Sequence, residues 1–145
     1  MKVMVTGHRL ERLANREKEV EEWLAAKLDE LQPSIAISGM AAGVDQIYAE
    51  LALKRNISLA AALPYKKDWD SYHPVVQDML MKAKEVIYAK KEYSKYAYYE
   101  RDCMMVDAAD IVLAVWDGKE IGGTWLTIDY ARKQGKEIIY FPWNN

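Results

Sequence analysis

The stretch Ile35-Ala36-Ile37-Ser38-Gly39-Met40-Ala41-Ala42-Gly43-Val44-Asp45 decides the fold. Its first three residues are apolar, Pro33 stands just before them and Gly39 closes the run, so it has the length of one buried strand and is too short for a helix. From Val44 the apolar residues Ile47, Tyr48 and Leu51 recur at helical spacing, which predicts a helix to about Arg55 with Asn56 as its stop. A strand that runs through a small-residue turn straight into a helix is the opening of a βαβ unit.

The same alternation continues on both sides. Lys2 to Thr6 predicts a first strand ending in Gly7. Asn15 is the expected cap of a helix to Leu31, whose Val20, Trp23, Leu24, Leu28 and Leu31 share one face, and Pro33 stops it. Ser58 to Leu63 reads as a third strand closed by Pro64, followed by an aromatic loop to His73 and a helix opened by Pro74 and running to about Lys84. Val86 to Ala89 is a fourth strand, about Tyr98 to Ala108 a helix, and Ile111 to Val115 a fifth strand. Thr124 is the expected cap of a last helix to about Gln134, Gly135 ends it, and Glu137 to Phe141 is a sixth strand. The strands are continuous apolar runs, as strands buried on both faces are. The order therefore predicts an α/β fold: a single Rossmann-like, doubly wound domain over residues 1–145, with a mainly parallel sheet of about six strands and helices on both faces.

Composition narrows the function. With 51% hydrophobic and 29% charged residues, the 145-residue chain has the material for one core and no bias towards disorder. No apolar run approaches the roughly 18 residues of a membrane span, so no membrane partner is expected. Met1 to Val5 lacks the long apolar stretch of a secretory signal, and the single Cys103 allows no internal disulfide; both predict a cytoplasmic location. A net charge of −2 argues against nucleic acid as a partner, although Lys66, Lys67, Lys90, Lys91 and Lys95 supply local positive charge if they are more than ordinary solvated lysines.

In a doubly wound sheet, ligands bind beyond the carboxyl ends of the strands near the point where strand order reverses. Three small-residue turns fall at that edge: Thr6-Gly7-His8-Arg9, Ser38 to Gly43, and Asp117-Gly118 with Gly122-Gly123-Thr124. Glycine lets backbone N–H groups approach a phosphate, and a following helix adds unpaired amides and the positive end of its dipole. The expected ligand-binding residues are Gly7, His8, Arg9, Ser38, Gly39, Met40, Ala41, Gly43, Asp45, Arg101, Asp117, Gly118, Gly122, Gly123 and Thr124. Arg9 and Arg101 would neutralise the anion and Asp45 would accept from ribose hydroxyls, or merely favour its helix dipole. Neither the Walker spacing nor Gly-x-Gly-x-x-Gly is present. His8 fits a ligand contact and a structural role alike, and Tyr65, Trp69 and Tyr72 fit either stacking on a base or packing. His8, His73 and Cys103 have no metal spacing, and Cys103 beside Met104 and Met105 reads as buried filler.

Together these motifs resemble the SLOG superfamily, most closely its YpsA-like branch. Thr6-Gly7-His8-Arg9 is similar to that branch's opening motif, and Ser38 to Asp45 to its Gly-Met-Ala-x-Gly-x-Asp signature, which DNA-uptake DprA proteins also approximate. Tyr99-Glu100-Arg101-Asp102, with Met105-Val106-Asp107 and Asp110, is similar to the fourth-helix motif; Ala114 to Gly118 with Gly122-Gly123-Thr124 is similar to the last. The resemblance implies a domain that binds nucleotides or nucleotide derivatives, with no further cofactor, and extends to LOG-type phosphoribohydrolases that cut the base from a ribose 5′-monophosphate. Arg101 matches the arginine of those enzymes, but their glutamate after the Gly-x-Gly-Thr turn has no match, because Trp125, Leu126 and Thr127 follow Thr124. Binding or sensing of a small phosphate-bearing nucleotide is thus the leading expectation. A nucleotide N-glycosidase is the alternative, with Arg101, Asp45 and Asp117 (or Glu100) as catalytic candidates, and DprA-like single-stranded DNA binding comes third. LOG-type relatives also imply a homodimer or higher homo-oligomer.

Overall fold

A computed structural model describes residues 1–144. Six strands, β1 (Lys2–Gly7), β2 (Ile35–Ser38), β3 (Ser58–Tyr65), β4 (Glu85–Lys90), β5 (Ile111–Val115) and β6 (Glu137–Tyr140), form one sheet in the order β4-β3-β2-β1-β5-β6. Every pairing is parallel. Five helices intervene: α1 (Glu17–Leu31), α2 (Val44–Lys54), α3 (Pro74–Lys82), α4 (Ala97–Ala108) and α5 (Gly123–Lys133). The fold is the expected doubly wound, Rossmann-like one. The chain builds outward from β1 to β4, then returns to lay β5 on the other flank of β1, so the reversal of strand order lies between β1 and β5.

Strand alternation divides the core. Val3 and Val5 of β1 face Val20, Leu24 and Leu28 of α1 and Val44 and Leu51 of α2, whereas Met4 faces Met105 and Val106 of α4 and Ala131 of α5. Leu59, Ala61 and Leu63 of β3 pack against Val76, Met79 and Leu80 of α3. Central β5 is buried at all five positions, but no residue of edge strand β4 is. The apolar run Val86 to Ala89 therefore reads like a central strand and sits where a single neighbour covers it. Tyr48 is fully buried, and its hydroxyl donates to the Val3 carbonyl at 2.7 Å. Tyr48→Phe leaves the packing and removes that bond, so urea unfolding should show a loss of about 1 kcal/mol.

Local signals misplaced three boundaries. Asn15 has a left-handed φ of 58° and does not cap α1; Arg16 stands at the cap position, and its guanidinium lies over Phe141 and Trp143. Gly122, not Thr124, caps α5, with a φ of 89° that favours glycine. Pro64 does not close β3, because pairing resumes at Tyr65, opposite Lys90. The other end signals hold: Pro74 opens α3 with His73 Nδ1 accepting from Val75 N, and Asn56 and Gly135 follow their helices with positive φ. No helix is long and apolar enough to cross a membrane among the described residues.

Candidate functional site

The turns after β1 and β2 are built to touch. A side chain at Gly43 would meet the His8 carbonyl at 2.6 Å and Arg9 Cα at 2.7 Å, and one at Gly7 would meet Val44 at 2.7 Å. These glycines press the start of α2 against the end of β1, so their missing side chains serve chain packing as much as access for a ligand. Gly43 also has a φ of 98°. Gly43→Ala combines the clash with backbone strain and should cost at least about 2 kcal/mol, read from the urea midpoint.

Beyond the β1 and β5 ends lies a cleft of about 310 Å³. Ala41 and Ala42 line it from the second turn, Gly123 and Thr124 from the start of α5, and Thr6 to Arg9 from the end of β1. The two turns, far apart in the chain, share one hollow. The first bond closing α5 runs from Leu126 N to Gly122 O, which leaves the amides of Gly123, Thr124 and Trp125 free of helix partners. At α2 the first such bond runs from Ile47 N to Gly43 O, leaving Asp45 and Gln46 amides outside the ladder.

Arg101, on α4, is the buried cation of the cleft. Its Nη1 donates to the carbonyls of Gly39 (2.7 Å) and Ala62 (3.3 Å), and its Nε to Asp102 Oδ1 (2.7 Å). It thereby pins the end of β2 and the interior of β3 to α4, and only Nη2 makes no hydrogen bond among the described residues. Asp45 lines the cleft beside it, and a side chain at Gly39 would meet both Asp45 Oδ2 (2.9 Å) and Arg101 Cζ (3.0 Å). Burial pushes the Asp45 carboxyl up to about 7, against the pull of Arg101, and the Asp102 charge pushes the same way. Burial raises Asp102 as well, although Arg101 holds it down. Asp45 keeps part of its surface in the cleft. With Arg9, Arg12 and Arg101 facing Glu11, Asp45 and Asp102, the cleft is mixed in charge. Such a wall suits a ligand that carries hydroxyl donors as well as an anion.

His8 is buried and accepts the Asp117 N–H at Nε2 (3.0 Å), which leaves the proton on Nδ1, 3.5 Å from Thr124 Oγ1. Burial drives its pKa below the ordinary value, outweighing Asp117. His8 therefore ties the β1 and β5 turns together as a neutral ring and leaves the Thr124 proton free for a ligand. Burial works against the Asp117 charge, but the Lys119 amide and Arg12, whose Nη2 is 2.9 Å away, hold its carboxyl below the usual range. Asp117 and Gly118 organise their own turn and do not line the cleft. Ser38 is fully buried, donating to the Asp45 carbonyl (2.7 Å) and accepting from Met40 N (3.2 Å), so its hydroxyl is spent inside the turn. Gly39 and Met40 border a neighbouring cavity, while Gly43 and Gly122 shape the turns behind the wall.

That neighbouring cavity, about 210 Å³, shares Arg9, Ala41, Tyr98 and Arg101 with the first. Tyr65 and Tyr72 line it; Trp69 stands outside, edge-on to Tyr72. Sequence reasoning missed Arg12, Tyr98 and Asp102. Only Asp102 carried a signal, its place next to Arg101 in the fourth-helix motif. A wider groove of about 630 Å³ lies between α2 and α3 at the opposite edge, but solvated pairs such as Lys54–Glu50 and Lys82–Asp78 line it. Among the described residues no three His, Cys, Asp or Glu side chains group to hold a metal ion.

A family model described as DNA recombination-mediator protein A matches residues 2–145. The chain belongs to that family. Solved structures agree on the fold of this family member. DNA processing protein A (DprA) from Streptococcus pneumoniae superposes with a TM-score of 0.76 at 21% identity, over 97% of this chain and 50% of its own. The protein of the same name from Helicobacter pylori, solved for its single-stranded DNA binding mode, gives 0.73 at 24% identity, over 98% of this chain and 65% of its own. The molybdenum cofactor carrier protein MCP from Chlamydomonas reinhardtii gives 0.64 at 13% identity, over 96% and 74%. The chain thus spans half of the first DprA and just under two thirds of the second. No curated protein matches it in sequence.

Proposed function

We propose that this DprA-type domain binds a phosphate-bearing nucleotide or nucleotide derivative in the cleft at the carboxyl ends of β1, β2 and β5. One observation carries the reading: the amide-bearing turns at Ala41–Ala42 and Gly123–Thr124 line a single cleft together with Arg9 and Arg101. The Ala41 amide already donates to Asp45 Oδ2 at 3.4 Å, so the amides of Ala42, Gly123 and Thr124 and the Thr124 hydroxyl take the phosphate, Arg9 and Arg101 Nη2 balance its charge, and Asp45 accepts from ribose hydroxyls. Within the family we assign the chain to the YpsA-like branch of the SLOG superfamily, on the motifs at Thr6–Arg9, Ser38–Asp45 and Gly122–Thr124. Calorimetry with AMP, NAD, ADP-ribose and cyclic nucleotides tests the binding. Millimolar ligand should give saturable heat for at least one, and none for any of them contradicts the proposal.

Two other readings have an observation behind them. A carboxyl at about 7 in the cleft suits a general acid, which favours N-glycosidic cleavage with Asp45 in the place of the missing glutamate. Free base released from a nucleoside monophosphate, and lost in Asp45→Ala, would establish it. Membership in the DprA family, one member of which is solved for single-stranded DNA binding, favours a DNA strand as ligand. A gel shift at low salt that stays blank removes that reading. Exposed Tyr99, Ile121 and Leu126 motivate a homo-oligomer, and a one-chain mass in light scattering removes it.

A further inference from the structure

The structure points to a second subsite beside the phosphate cradle: we infer that the cavity walled by Tyr65, Tyr72 and Tyr98 takes the nucleobase. The inference rests on the nucleotide-binding reading above and extends it. The first observation is continuity. The aromatic cavity and the phosphate cleft adjoin at Arg9, Ala41, Tyr98 and Arg101, which line both, so a ligand anchored at the amides of Ala42 and Gly123 has the aromatic lobe as its immediate neighbour. At about 310 and 210 Å³ the adjoining lobes together fall in the size range of small-molecule sites, roughly 300–1,000 Å³.

The second observation is the wall itself. Tyr65 and Tyr98 stand edge to face at 6.2 Å, and the Arg101 guanidinium lies 5.8 Å from the Tyr98 ring. Tyr98 thus borders both lobes, beside the cation that faces the phosphate lobe. A planar heteroaromatic ring is the chemistry that such faces hold, because stacking needs only a π-surface.

The third observation is independent of shape. The Tyr72 hydroxyl is the one buried side-chain polar atom without a hydrogen-bond partner among the described residues. A buried donor left unmade is costly, and such atoms are scarce in folded proteins. Tyr72 itself lines this lobe, and Lys67, an exposed residue, holds its ammonium 4.6 Å from the Tyr72 ring. An entering base displaces the lysine and offers a ring nitrogen or carbonyl to the hydroxyl. Packing alone explains a tyrosine here poorly, since phenylalanine would fill the same space at no polar cost.

Calorimetry with AMP, GMP, CMP and UMP against ribose 5-phosphate separates base from phosphate. At least one nucleotide should bind about tenfold or more tightly than ribose 5-phosphate. Tyr65→Leu and Tyr72→Phe should each shrink that ratio towards one, and Tyr72→Phe should leave the urea midpoint unchanged or raised, because it deletes an unpaired hydroxyl. A nucleotide preference untouched by either substitution places the base elsewhere and overturns the subsite. Ribose 5-phosphate binding as tightly as every nucleotide overturns it too, while the phosphate cradle stands. If neither class of ligand binds, the cradle and the subsite fall together.

Discussion

Arg101→Ala should cost about 3–5 kcal/mol in urea unfolding at pH 8, the largest loss expected from any side chain in the cleft. The arginine joins α4 to the end of β2 and the interior of β3 through two carbonyls and neutralises a pair of carboxyls, Asp45 and Asp102. Its removal leaves the Gly39 and Ala62 carbonyls short of a donor and two acids in poor solvent, with Arg9 near Asp45 as the remaining counter-charge. The deficit should shrink at pH 5, where Asp45 takes up a proton and one of the stranded charges disappears. Nucleotide affinity should fall at least about thirtyfold, since the cleft loses the cation proposed to balance the phosphate. Arg101→Lys restores charge without the planar fork, so it should recover only part of each loss. An alanine variant that unfolds like its parent would show that the clamp contributes nothing.

Asp45→Asn should work in the opposite direction on stability. Burial raises the Asp45 pKa from 3.8 to about 7, so the folded state binds a proton more tightly than the unfolded chain. The sign follows by linkage. Stability from this group is full below the unfolded value, near 4, and is lost as pH climbs through the folded value, near 7. Above that the protein keeps a charged carboxylate in a site that disfavours it. Asparagine has the same shape and no charge, so the variant should gain about 1–3 kcal/mol at pH 8, the range allowing for water in the cleft. It should also flatten the pH dependence between about 4 and 7. If Asp45 accepts from a ribose, the same variant binds nucleotide about tenfold more weakly, because the amide offers one acceptor oxygen in place of a carboxylate. Stability up and affinity down is what a group kept for binding shows; a fall in both would mark Asp45 as structural.

The fold was legible because its signals are local. The runs at Lys2–Thr6, Ile35–Ser38 and Ile111–Val115 become the three central strands, and Pro33, Asn56, Pro74 and Gly135 punctuate where side-chain chemistry says they must. Errors arose where a residue had two local uses. Asn15 is both a capping residue and one of the few side chains at ease with positive φ, and the chain uses the second property. Thr124 is a good cap, but Gly122 two residues earlier answers the turn's need for positive φ and starts the helix sooner.

The candidate site was legible in part. Ala41, Asp45, Arg101, Gly123 and Thr124 line the cleft, as turns at the ends of β2 and β5 lead one to expect. What a sequence hides is whether a polar atom is already spent. Ser38 and Asp117 look like ligand donors and acceptors, yet the hydroxyl of one and the carboxylate of the other close hydrogen bonds within their own turns. Arg12 and Tyr98 reach the cleft only through the path of the chain after β1 and before α4, which no spacing rule announces. A net charge of −2 likewise spoke against nucleic acid, whereas the family restores a DNA strand as a competing ligand.

The claim beneath the functional reading is that two backbone turns distant in sequence grip one anion. Amide chemical shifts followed by NMR during titration with a nucleoside monophosphate test it most directly. Ala41, Ala42, Gly123 and Thr124 should move together, with one shared saturation curve. If only one of the two turns responds, or if both stay still while the ligand binds elsewhere, the shared cradle does not exist.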